Sequence, residues 1–257
     1  EWRCHIGGKI CYSEPQPNLK PETSKNYEIG FGLSWQDTLF SDYLSFKAIY
    51  LDNEIDNYIN NVPFMYYIND DGDKIQGSPG PQPENGIPVA THRDYSAKNI
   101  GLLINKGVEL ELNYQLGKFD AYLGYSSMNM DVKGMPNFFL GSIDYQKQPY
   151  ADAPANKLSI NLNYQLLESL NIGGQILAYA KQDRLPEQYL NAGYGTDSYK
   201  LFNLNVSYSP NGKLSGLGLV IGIDNITNER YLRAPASEAN DPGELGRNFK
   251  ATLSYQF

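Results

Sequence analysis

From Leu158 to Leu166 apolar and polar side chains alternate without interruption. Leu158, Ile160, Leu162, Tyr164 and Leu166 share one parity, and Ser159, Asn161, Asn163 and Gln165 share the other. Neighbouring side chains of an extended chain point to opposite faces, so this run predicts a strand with one apolar and one polar face. The pattern recurs at Val108, Leu110, Leu112 and Tyr114 against Glu109, Glu111, Asn113 and Gln115, and at Phe202, Leu204, Val206 and Tyr208 against Asn203, Asn205 and Ser207. It returns at Phe249, Ala251, Leu253, Tyr255 and Phe257 against Lys250, Thr252, Ser254 and Gln256. About nine strands follow, near residues 26–37, 41–60, 98–117, 118–132, 156–167, 170–184, 199–209, 216–231 and 246–257.

Several of these runs exceed the roughly 10 residues that a tilted strand needs to cross a bilayer, whereas strands of water-soluble domains average about 5–6. The connections alternate in length. Short turns fall near 37–41, 116–118, 167–170 and 210–215, and long segments at 61–97, 133–155, 185–198 and 232–245. Outer-membrane barrels show this asymmetry, with tight periplasmic turns and long extracellular loops. A periplasmic C-terminus then places every long segment outside, together with residues 1–25. An odd number of strands leaves open edges that lipid cannot satisfy, so further strands from upstream or a partner segment are expected to close the barrel.

Composition agrees with an all-β reading: 21 Tyr, 24 Gly and 15 Pro stand against 4 Met, and no helix-forming stretch rich in Ala, Leu, Glu and Lys is present. A formal net charge of −8 without a clustered basic stripe argues against a nucleic-acid partner. The mean hydropathy of −0.49 is no obstacle to a membrane location, because alternating strands average out polar. No apolar run reaches the length of a transmembrane helix. The opening "EWRCHIGG" has neither an initiating Met nor the features of a signal peptide, so the chain reads as mature or as cut from something longer.

Cys4 and Cys11, the two cysteines, flank Gly7 and Gly8 in one turn-rich stretch. A disulfide closing a small loop, in an oxidising compartment, competes with a free or metal-binding pair. Zinc would need more ligands than His5 supplies, and the spacing is not that of covalent haem attachment. The aromatics at 65–67 and 137–139 read equally as outer-loop contacts or as strand ends above the membrane, and 77–86 reads as a loop tip.

Four stretches together, "PNLKPETSKNYEIGF" (17–31), "NIGLLINKGVELELNY" (99–114), "GIDNITNERYL" (222–232) and "GRNFKATLSYQF" (246–257), resemble the C-terminal half of TonB-dependent outer-membrane receptors. The residues also read on their own terms. Gly107 suits a bend or bulge. Asn225 and Asn228 suit caps at a strand end. Phe257 continues an aromatic face. In the family such a terminal aromatic is the assembly signal. The resemblance implies an antiparallel transmembrane β-barrel of 22 strands around an N-terminal plug. The whole chain, 1–257, would be the C-terminal part of it, with 1–25 in an extracellular loop, 26–257 forming strands and loops, and the plug absent.

Among haem and haemophore receptors of this family that loop carries a haem-ligating histidine ahead of an Asn-Pro-Asn-Leu box. Here Gln16, Pro17, Asn18 and Leu19 match the box except at its first position, which places His5 in the ligand interval. A neutral imidazole is a good iron ligand, and a pinned loop loses less entropy on ligation. A solvated loop histidine is the competing reading, and His92, ahead of "RDYSAKN", is a second candidate ligand. Neither histidine has the acid and nucleophile of a catalytic triad, so no catalytic residue, enzyme activity or resident metal is expected.

The implied function is energised uptake of haem, or of haem from an extracellular haem-carrying protein. Haem would be transported cargo, with no permanently bound cofactor; the TonB complex would act through the N-terminal part, and outer-membrane lipid would surround the strands. A ferric-siderophore receptor is the alternative within the class. A passive porin of about 16 or 18 strands and a barrel enzyme are the alternatives outside it.

Overall fold

The computed structural model describes residues 5–6, 9–10, 13–14, 16–38, 40, 42–77, 86–88, 90, 92–137, 142–151, 153–191, 193–233 and 243–256. Among these the fold is all-β, built on nine long strands: β1 (Thr23–Gln36), β2 (Asp42–Ile68), β3 (His92–Leu116), β4 (Phe119–Lys133), β5 (Lys157–Leu167), β6 (Leu170–Tyr179), β7 (Tyr199–Tyr208), β8 (Leu217–Asp224) and β9 (Asn248–Tyr255). They lie in one sheet in chain order, each hydrogen-bonded to the next, and the pairs from β4 to β9 are antiparallel. All nine strands expected from alternation are present. Their bounds differ where polar turn chemistry or tertiary pairing intervenes. β2 and β3 reach 27 and 25 residues, so much of the expected 61–97 loop is strand. Residues 65–67 therefore extend a strand, the second of the two readings offered for them. β6 stops at Tyr179 and β8 at Asp224, ahead of the ends expected at 184 and 231. β1 begins at Thr23 instead of 26.

The chain divides into two compact units. The first comprises residues 1–26, 53–105 and 130–150. Its core holds Ile100 and Val132, each 1% exposed, with Val62, Leu103 and Tyr66. Tyr58 and Tyr150 meet edge to face, their hydroxyls 2.8 Å apart. Gly101 is glycine for a plain reason: its φ of +145°, combined with the Lys133 carbonyl where a Cβ would stand, leaves no room for a side chain.

The second unit comprises residues 27–52, 106–129 and 151–257. Here register turns one-strand alternation into rows. Leu162, Gly174, Leu204, Ile223 and Phe249 are successive cross-strand partners, as are Tyr164, Ile172, Val206, Ile221 and Ala251. These apolar rows are not the dry middle of a sandwich: Phe249 is 70% and Ile221 51% exposed. The opposite face is wired by polar side chains. Asn225 N–H donates to Asn203 Oδ1 (2.8 Å), Asn203 Nδ2 to Gln175 Oε1 (2.9 Å) and Gln175 Nε2 to Asn161 Oδ1 (2.7 Å). An exposed apolar face this extensive needs a non-aqueous neighbour. Gly107 owes its identity to close approach: a Cβ there would stand 2.6 Å from the Ser127 carbonyl, and Met128 Sδ is also in the way. Among the described residues no helix is long and apolar enough to cross a membrane, which says nothing of strands.

Candidate functional site

The segment expected to carry the ligand contains short strand pieces. His5–Ile6 pairs antiparallel with Lys9–Ile10, with His5 opposite Ile10. Ser13–Glu14 then runs parallel to Tyr95–Ser96 of β3, so the loop is stitched to the strand that opens with His92. Cys4, Cys11 and Phe257 lie outside the described residues, and with them the disulfide and the assembly signal.

The Gln16–Leu19 box forms a turn. Pro17 and Asn18 make an exposed turn, with Gln16 and Leu19 half-buried. The chain that leaves it is clamped by one amide. Lys20 N–H donates to Asn99 Oδ1 (2.8 Å), while Asn99 Nδ2 donates to the Lys20 carbonyl (2.9 Å) and to the Asn57 carbonyl (2.7 Å). Glu22 Oε1 accepts from Ile59 N–H at 2.7 Å. Asn57 has a left-handed φ of +56°, a conformation that asparagine tolerates better than most residues. Asn99→Leu removes all three contacts. It should speed amide exchange at Lys20 by about tenfold or more, measured by hydrogen exchange; unchanged protection would refute the clamp.

His92 is the first residue of β3, where a loop position was expected. Its ring stacks on Tyr66 at 5.2 Å, and Tyr66 stacks on Phe64 at 5.6 Å. Lys74 Nζ lies 4.9 Å from the Tyr66 centroid and 2.6 Å from Asp94 Oδ2, the latter residue only 2% exposed. Lys74 reaches there because Lys74–Gln76 pairs antiparallel with Tyr66–Ile68. His92 thus sits in a packed cluster with Tyr66, Lys74 and Asp94, none of which alternation singled out. Its ring face is engaged in packing, which favours a structural histidine. Among the described residues no group of three His, Cys, Asp or Glu side chains could hold a metal.

The caps expected at Asn225 and Asn228 are present. Asn225 is 4% exposed with φ of +51°. Its Oδ1 accepts from Glu229 N–H at 2.8 Å and its Nδ2 donates to the Glu229 carbonyl at 2.9 Å. Asn228 Oδ1 accepts from Arg247 N–H at 2.9 Å, and Arg247 Nε donates to the Ile226 carbonyl at 2.9 Å. These bonds fix the loop after β8 and the approach to β9.

Residues 7–226 match the family model described as TonB dependent receptor-like, beta-barrel. The chain belongs to the TonB-dependent receptor β-barrel family. Within the family it is similar to the Heme/hemopexin utilization protein C of Haemophilus influenzae, 28% identical over 246 residues that cover 94% of this chain and 30% of that protein. Among solved structures it resembles the FrpB iron transporter from Neisseria meningitidis (TM-score 0.64, 17% identity, 96% of this chain and 32% of that one). It also resembles the Serratia marcescens hemophore receptor HasR in complex with its hemophore HasA and heme (TM-score 0.60, 23% identity, 95% and 33%). The two structural likenesses establish the fold. This TonB-dependent receptor chain spans about a third of the length of the proteins it matches, and the two solved structures are of an iron transporter and a hemophore receptor.

Proposed function

We propose that this chain contributes the C-terminal strands of an outer-membrane receptor that takes up haem, or haem delivered by a haem-carrying protein, driven through the TonB complex. The observation that carries the reading is the alignment of 94% of the chain with a protein named for haem and hemopexin utilisation. The physics of the sheet agrees. Exposed apolar rows on one face suit lipid, and the hydrogen-bonded amide relay on the other suits a wet interior. Strands of 27 and 25 residues exceed the roughly 10 needed for crossing, so β2 and β3 carry ligand-binding loops well beyond the membrane.

In this reading His5 is the haem ligand. The Asn99 clamp sets where its segment rejoins the sheet, and the pairing of Ser13–Glu14 with β3 limits its excursion. No covalent chemistry is required, because an uptake receptor needs only a binding surface and a movable obstruction.

The test is an absorbance titration of the full-length receptor with haem and, in parallel, with ferric siderophores. Tight haem binding with a ligand-shifted Soret band is expected, and His5→Ala should weaken it about tenfold or more while changing the band. An unaltered spectrum and affinity in His5→Ala would remove His5 as ligand. A receptor that binds ferric siderophore and ignores haem would overturn the haem reading.

A further inference from the structure

At the loop end of the polar face, four residues line up as cross-strand partners: Ser126 opposite Lys157, Lys157 opposite Tyr179, and Tyr179 opposite Tyr199. Cross-strand neighbours stand about 5 Å apart, close enough for rings to meet. Tyr179 stacks on Tyr199 with centroids 4.7 Å apart, and Tyr199 stacks on Tyr231 at 4.4 Å. Cations occupy both ends of this column. Lys157 Nζ lies 5.7 Å from the Tyr179 centroid, and the Arg233 guanidinium is hydrogen-bonded to the Tyr231 side chain at the other end.

A cavity of about 200 Å³ opens beside the column, lined by Lys157, Tyr179, Thr196, Tyr199 and Arg233 among others. Its two charged lining residues are both cations, in a chain whose net charge is −8. Arg233 also contacts Glu244 through Nε at 3.1 Å. The Tyr231 hydroxyl, then Glu244, hold the guanidinium above its ordinary pKa, so it stays charged. Its remaining N–H groups keep it able to serve a second anion. Thr196 supplies independent evidence. It is 5% exposed, yet its buried Oγ1 has no hydrogen-bond partner. Buried hydroxyls are almost always paired, and one that is not marks a place where a polar group is expected to arrive. Thr196 and Tyr199 also line a second cavity of about 1130 Å³, formed by the loop before β7, the loop after β8 and the approach to β9. That space exceeds the few hundred Å³ a small-molecule site requires.

The geometry points to a second binding station for the cargo, built to take a planar aromatic molecule that bears a carboxylate arm. The arm enters the smaller cavity between Lys157 and Arg233, and Thr196 Oγ1–H donates to it. The ring system rests in the larger cavity against Tyr199. Two cations and a hydroxyl suit a carboxylate, because charge-assisted hydrogen bonds are the strongest available to it. The stacked tyrosines give a flat, rigid wall that loses little entropy on binding. This inference rests on the haem-uptake reading and adds to it a recognition element for the propionate edge, separate from the iron ligand.

The experiment titrates the full-length receptor with haem and with haem dimethyl ester, whose propionates carry no charge. The proteins are wild type, Lys157→Gln/Arg233→Gln and Thr196→Val, with assembly checked by heat-dependent gel migration. The double variant is expected to weaken haem binding about tenfold or more without moving the Soret band, since the iron ligand is untouched. It should leave dimethyl-ester binding unchanged, and Thr196→Val should weaken haem binding by a few-fold. Wild-type haem affinity in the assembled double variant overturns the station and leaves the haem reading intact, as does equal weakening of haem and its ester. A wild-type receptor that binds no haem overturns the haem reading itself and, with it, haem as the occupant of this station.

Discussion

Leu204→Arg is expected to prevent stable assembly of the receptor in a membrane. Leu204 lies mid-strand in the row Leu162, Gly174, Leu204, Ile223 and Phe249, and it is 42% exposed on the apolar face. Its outward position is harmless only if hydrocarbon covers it. A guanidinium on the lipid face near the midplane costs about 2–4 kcal/mol, enough to shift the folding equilibrium constant by a factor of about 30 to 700 at the RT ln K scale of 1.4 kcal/mol per decade. The neighbour Asn205 supplies the control. It pairs with Gly173 and Gly222 on the polar face, where Asn205→Arg meets water and costs little. Urea unfolding of the receptor reconstituted in liposomes reads both variants. Equal midpoints for Leu204→Arg and wild type would dismiss the lipid-facing assignment, and the outer-membrane location with it.

The second large effect is expected at Asn225. Truncation to Ala removes the acceptor of Glu229 N–H and the donor to the Glu229 carbonyl at a site only 4% exposed, and it leaves a residue with a Cβ at φ of +51°. Each lost bond of this kind is worth about 1 kcal/mol, and the left-handed backbone adds about 1–2 kcal/mol for a residue without a short polar side chain. The sum is about 3–4 kcal/mol of local stability. Hydrogen exchange at the Glu229 amide should accelerate about a hundredfold or more. Asn225→Gly keeps the backbone conformation accessible and should recover the left-handed part of the loss. If Ala and Gly behave alike, backbone strain plays no part; if neither changes exchange, the cap is not what holds the loop after β8.

Much of the architecture was legible in the sequence because alternation reports a local property. Whether Leu162 and Asn161 face opposite ways depends only on the pleat of one strand, and nine strands emerged from that alone. Asn225 was legible as a cap for the same reason, since its partner Glu229 lies only four residues on; Asn228, by contrast, meets Arg247 across the long segment at 232–245. The lengths of β2 and β3 were not legible. Residues 61–68 and 92–97 contain Pro63, Asn69 nearby and few clean apolar alternations, so they read as loop; they are strand because Lys74–Gln76 and Ser13–Glu14 pair with them. His92 was misplaced in consequence, and its clustering with Tyr66, Lys74 and Asp94 went unseen because their proximity depends on that pairing. The box at 16–19 was recognised as a motif, but the Asn99 amide that clamps the chain leaving it, at Lys20, is about eighty residues away.

By itself, then, the sequence determined which face each side chain takes, the number of long strands, and the membership of a receptor-barrel family. Tertiary structure decided which residues stand side by side: Lys157 with Tyr179 and Tyr199, Asn99 with Lys20, His92 with Tyr66. The reason lies in the period of a strand. Sliding one strand past its neighbour by two residues keeps every apolar side chain on its own face and so leaves the pattern unchanged, while it exchanges every cross-strand partner. Face is written in each strand separately, and register exists only between strands.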